Sequence, residues 1–119
     1  MDKKLEALFD ELNKEFWSGT LPKIEIKRSR KLQEEGDLGE YVSPDGPKND
    51  NPSNYCIKIA HNLRAKKSLR DTMLHEMVHH SQFLLNKEKY WKKKLSWHGK
   101  LWKMEMKRVG FGPKITKYT

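Results

Sequence analysis

The sequence predicts an α+β domain, and three features carry that prediction. Leu5, Leu8, Phe9, Leu12 and Phe16 recur at helical spacing. Short strand-like runs follow around Ile24 and Ile26, over Gly39 to Val42 and over Tyr55 to Ala60. Two further helical patterns complete the order helix, three strands, helix, helix. The 119 residues suffice for one domain and are too few for two ordinary ones, so 1–119 is read as a single domain.

Each element has local signals. Asp2 is the candidate N-cap of the first helix, and Ser18-Gly19 with Leu21-Pro22 ends it. Ile24 and Ile26 alternate with charged neighbours, which predicts a half-buried strand over Lys23 to Arg28. A polar turn around Glu34 to Asp37 leads into the second strand, Gly39 to Val42. Ser43 to Ser53 holds three Pro, one Gly and several Asn and Asp, a surface loop. The third strand, Tyr55 to Ala60, directly precedes the second long helix and is expected at the sheet edge. Ser68, with Asp71 three residues on, resembles a capping box and predicts an amphipathic helix running to about Asn86. A lysine-rich stretch, Lys87 to Lys94, separates it from a last helix over Gly99 to Val109. Gly110 is that helix's candidate C-cap, and Pro113 prevents continuation.

Composition narrows the function classes. The net charge of +9 comes from 25 Lys and Arg against 16 Asp and Glu, which favours a polyanionic partner or serves solubility. The lone Cys56 excludes an internal disulfide and a zinc ribbon. Met1-Asp2-Lys3-Lys4 runs straight into the helical pattern, so no signal peptide is expected. No segment approaches membrane-spanning length. A monomeric cytoplasmic protein without a membrane partner is expected, with nucleoid or nucleus as alternative locations.

The chemistry is concentrated in His75-Glu76-Met77-Val78-His79, a His-Glu-x-x-His motif. Four helical residues turn about 40° past a full circle, so both imidazoles leave one face and can share one ion. Zinc accepts neutral imidazole nitrogen, and a catalytic site takes three protein ligands plus water. Glu76 is placed to act as general base on that water. His80, Ser81 and Gln82 follow directly, so the metzincin extension is absent. The downstream candidates for a third ligand are His98, Glu88 and Glu105. Glu88 lies in the solvated lysine stretch. Ligand chemistry and the adjoining Gly99 favour His98, with Glu105 as the rival. His80 faces about 100° away from His79 and reads as a surface or supporting residue. His61 ends a strand and reads as structural.

Leu74 to His79, then Trp97-His98-Gly99 and a helix with Met104 and Arg108, resemble the SprT-like metallopeptidase domain. Phe16-Trp17, Gly39-Glu40-Tyr41 and Tyr55 to Ile59 extend the resemblance, which covers roughly Leu5 to Gly110. It implies a zincin-like fold whose third zinc ligand is a histidine, at the position of His98. It also implies a zinc-dependent endopeptidase in which Glu76 activates the zinc-bound water. Spartan-type relatives degrade proteins crosslinked to DNA. Many members add a zinc ribbon after this domain; with one cysteine, these 119 residues hold none.

For DNA, Lys87, Lys89, Lys92, Lys93 and Lys94 interleave with Tyr90 and Trp91, with Trp97 following. Lysines neutralise phosphates and aromatic rings stack on bases. The same residues also suit a solvated loop over packed aromatics. Tyr41 and Tyr55 are candidates for a hydrogen bond to the reacting carbonyl, and nothing in the sequence selects either. The alternative function is a zinc-stabilised, basic nucleic-acid-binding module without peptidase activity. Such a module has no use for a base at position 76.

Overall fold

The computed structural model describes residues 2–111. Helix α1 spans Lys3–Trp17, and the Asp2 carboxylate accepts the Lys4 and Leu5 amides as expected of the cap. Its fully buried Leu5, Phe9 and Leu12 face the core. Ser18 and Gly19 reverse the chain at positive φ (53° and 76°). The Asn13 amide then holds the turn, donating to the Leu21 carbonyl at 2.9 Å and accepting the Leu21 N–H at 3.1 Å.

Strand β1 (Glu25–Ser29), helix α2 (Arg30–Glu35), strand β2 (Gly39–Val42) and strand β3 (Cys56–Ala60) follow. β3 lies in the middle of the sheet, parallel to β1 and antiparallel to β2. The expectation that β3 forms the edge is therefore wrong. Its pattern explains why: Ile57, Ile59 and Ala60 are wholly buried and Cys56 nearly so, as in a strand paired on both sides. The predicted loop carries two short 3-10 turns, Pro47–Asn49 and Pro52–Asn54.

Helix α3 (Lys66–Leu85) packs against β2, β3, α1 and the two helices that follow it. It is not amphipathic in the expected sense, because every residue from 72 to 83 is buried. Nor does Ser68 cap it. The helix starts three residues earlier, after Ala65, and Asp71 instead pairs with Lys67 at 2.8 Å. Part of the lysine stretch forms helix α4 (Lys87–Trp91). Helix α5 (Lys100–Arg108) ends one residue before the expected Val109, closed at Gly110: the Gly110 N–H reaches the Lys107 carbonyl and the Phe111 N–H the Met106 carbonyl, a Schellman closure. Pro113 lies outside the described residues. Among the described residues, no helix is long and apolar enough to cross a membrane.

Candidate metal centre

Seven polar side chains lie buried along α3: Thr72, His75, Glu76, His79, His80, Ser81 and Gln82. Burying so many costs stability unless each is satisfied, so the centre of this helix is where local preference gives way to function. His75 and His79 stand one turn apart on it, their ring centroids 4.9 Å apart. The segment between α4 and α5 brings in His98, whose Nε2 lies 3.2 Å from Nε2 of His79. One nitrogen from each of the three rings falls within 4.8 Å of the other two, a group that could hold a metal ion. His75 and His79 are buried and His98 is exposed, so the cluster opens to solvent on one side.

The donor set suits a cation. Burial pulls the His79 imidazole down to about 2, reinforced by His75 and His98, and burial also lowers His98. Both rings are therefore neutral at physiological pH, the form that ligates. His79 Nδ1 is buried without a hydrogen-bond partner. Trp102 walls the cluster from behind, with ring centroids 5.1, 5.6 and 4.7 Å from His75, His79 and His98.

Glu76 is fully buried, and neither carboxylate oxygen has a hydrogen-bond partner. Burial, and secondarily the charge of Glu40, push its pKa well above the usual carboxylate range. Gly39, at the start of β2, permits this position. A Cβ there would lie 2.9 Å from Glu76 Oε2 and 2.7 Å from Thr72 Cγ2. A glycine opening a strand beside a motif helix was the signal for this close approach.

The rival ligand Glu105 points elsewhere. It accepts hydrogen bonds from Trp17 Nε1, Ser81 Oγ and Arg108, joining α1, α3 and α5. Glu88 is ion-paired with Lys92 at the surface. His61 follows β3 and lies away from the three-histidine group. His80 is buried rather than superficial. Its Nε2 sits 2.9 Å from the Pro22 carbonyl, which only accepts, so Nε2 carries the proton and Nδ1 accepts the Tyr41 hydroxyl at 2.8 Å. Burial lowers the His80 pKa to about 4, consistent with that neutral tautomer. His80 thus fixes Tyr41, whose ring stacks on His79 at an interplanar angle of 14°. Sequence reasoning named Tyr41 without selecting it and missed both Trp102 and the His80 link. Trp102 lies four residues after His98, the one available hint.

In front of the cluster is a cleft of about 280 Å³ lined by Leu32, Asp37, Glu40, Tyr41, His79, Trp97 and His98. β2, one edge of the sheet, contributes Glu40 and Tyr41 to it.

These features define a small α+β protein with three histidines, fit to hold a metal ion, at an open cleft. The profile of the SprT-like family matches residues 5–119, and the chain belongs to that family. It is similar to the DNA-dependent metalloprotease SPRTN of Homo sapiens, at 33% identity over 85 residues, covering 71% of this chain and 17% of that protein. The SPRTN proteins of Rattus norvegicus and Mus musculus match equally, at 33% over 85 residues, 71% of this chain and 16% of theirs. The matched stretch is thus about a sixth of the length of these relatives. No solved structure gives a significant match.

Proposed function

We propose that residues 1–119 form a zincin-like domain of a zinc-dependent endopeptidase, with His75, His79 and His98 as ligands and Glu76 as general base. The carrying observation is a buried carboxylate with both oxygens unpartnered, one residue from the first histidine of a three-histidine group. A dication in that group offsets the penalty that burial places on the charged form of Glu76. Zinc bound there supplies Lewis acidity toward a peptide carbonyl and toward the attacking water, whose pKa falls to about 7.

The chain's own residues do the rest. Glu76 takes a proton from the attacking water as the new C–O bond forms, then delivers it to the amide nitrogen as the C–N bond breaks. His80 holds Tyr41, and Tyr41 and Trp102 hold the His79 ring between them. The substrate backbone adds to the free edge of β2, where Glu40 and Tyr41 line the cleft, rather than to the central β3.

The nucleic-acid module without peptidase activity is the second reading. A closed structural site recruits a fourth protein ligand, whereas among the described residues this group has three. That difference, with Glu76, favours the enzyme. Proteins associated with or crosslinked to DNA are the substrate class the family resemblance implies, and the DNA dependence in the name of the SPRTN relatives and the charge of +9 support a role for DNA. DNA contact through Lys87 to Lys94 rests on Lys89, Lys93 and Lys94. Lys87 is engaged with Asp50 and Lys92 with Glu88, while Tyr90 is buried and Trp91 donates to the Pro44 carbonyl. Trp97, 39% exposed, is the aromatic ring left for stacking.

Glu76→Gln tests the reading. Caseinolysis should fall about 100-fold or more while zinc is retained. Unchanged turnover in the zinc-loaded variant would remove Glu76 as the base, and no turnover in the zinc-loaded wild type would leave the module.

A further inference from the structure

Lysines and arginines collect at a second place, around the ends of β1 and β3. β1 and β3 are parallel and end together at Ser29 and Ala60. Around those ends lies an open concavity of about 630 Å³ lined by Asp2, Lys3, Lys4, Lys27, Arg28, His61 and Arg64, and Arg30 follows directly on β1. Arg28 is committed to structure, bonding Asp2 and the Ala60 and Leu63 carbonyls. Lys3, Lys4, Arg30 and Arg64 are exposed, and among the described residues none has a carboxylate within ion-pairing distance. His61 registers two of them: its pKa is lowered by Arg30 first, then by burial, Arg64 and the structural Arg28.

Local stability does not explain these cations. Lys3 and Lys4 open α1 and Arg30 opens α2, at helix ends where the macrodipole favours carboxylates and disfavours positive charge. Residues placed against their local preference mark function when they gather on one surface. The concavity also has no large exposed apolar side chain; Leu85, Trp97, Leu101 and Met104 all lie elsewhere. Protein partners are held by buried aromatic and aliphatic anchors, whereas a phosphate backbone is held by charge alone.

We propose that the surface formed by Lys3, Lys4, Arg30 and Arg64 around His61 takes the phosphate backbone of a nucleic acid. This rests on the reading that the protein works on DNA-associated substrates, and it gives that reading a geometry. The concavity and the cleft share no lining residue, so nucleic acid held at the first leaves the second free for protein.

The test compares three proteins binding single-stranded DNA across a salt series: wild type, Lys3/Lys4/Arg30/Arg64→Ala, and Lys14/Lys48/Lys103/Lys107→Ala. The last removes the same charge from other exposed sites. The patch variant should bind at least tenfold more weakly at low salt. Its log–log salt slope should be shallower by about 3, from roughly 0.7 per lost contact. The control should match wild type, and caseinolysis without DNA should be unchanged in all three. Equal losses in both variants would reduce the effect to net charge and overturn the proposal. So would wild-type affinity in the patch variant, with DNA binding itself intact. Equal binding of poly-glutamate would make the partner an acidic protein and also overturn it. Failure of caseinolysis in wild type would count against the peptidase and leave the binding result standing.

Discussion

Glu76 occupies a site that opposes its own ionisation, and the structure accepts this at a position where an apolar residue would pack without penalty. What makes room for it is Gly39, so the two residues form one feature. Gly39→Ala should lower stability by about 1–3 kcal/mol, since its Cβ would meet Thr72 and Glu76 at under 3 Å. It should also reduce caseinolysis through displacement of the carboxylate. A wild-type melting temperature in this variant would show that β2 and α3 do not approach so closely. His75, Glu76 and His79 were legible in the sequence because helical spacing alone puts two imidazoles on one face. Ligand chemistry and the adjoining Gly99 favoured His98 over Glu105, but only the fold shows what holds Glu105 instead. The contacts of Glu105 with Trp17, Ser81 and Arg108, up to 88 positions away in sequence, draw it out of the histidine group. The Tyr41–His80 hydrogen bond spans 39 positions and likewise leaves no local trace.

Secondary structure was legible wherever capping chemistry or an apolar period is written locally. Asp2, Gly99 and Gly110 all stand at the predicted helix ends, and β2 has its predicted bounds. α2 escaped notice because six residues with Leu32 as their one buried side chain have no period to read. Ser68 misled because a capping pattern can occur inside a helix that tertiary packing starts earlier. The cap at Asp2 gives a pH-dependent test. Burial pushes its carboxyl up, but hydrogen bonds from Arg28 and from the Leu5 and Lys4 amides outweigh that and hold it below the ordinary value. Its contribution is therefore complete above the unfolded pKa of about 3.9 and is lost as pH falls through the lowered folded value. Asp2→Ala should cost about 1 kcal/mol at pH 7. In urea melts the gap to wild type should close toward pH 2. A gap that persists undiminished there would mean the carboxylate is not what caps α1.

The fold arranges three features on one small sheet. β2 and α3 frame the histidine cleft, β3 carries the central core, and the ends of β1 and β3 present the free cations. The lysine-rich stretch drew attention in the sequence because its charges are consecutive, yet much of it is neutralised or packed once folded. The second basic surface was invisible there, because the parallel pairing of β1 and β3 brings Arg30 to Arg64, and the ion pair of the α1 cap Asp2 with Arg28 brings Lys3 and Lys4. The account stands or falls on the metal. Elemental analysis of zinc in the wild type, His98→Ala and Glu105→Ala proteins tests it most directly. One zinc per chain, kept without Glu105 and lost without His98, is the predicted result. Zinc that survives the loss of His98, or folded wild-type protein that holds none after zinc loading, would contradict it.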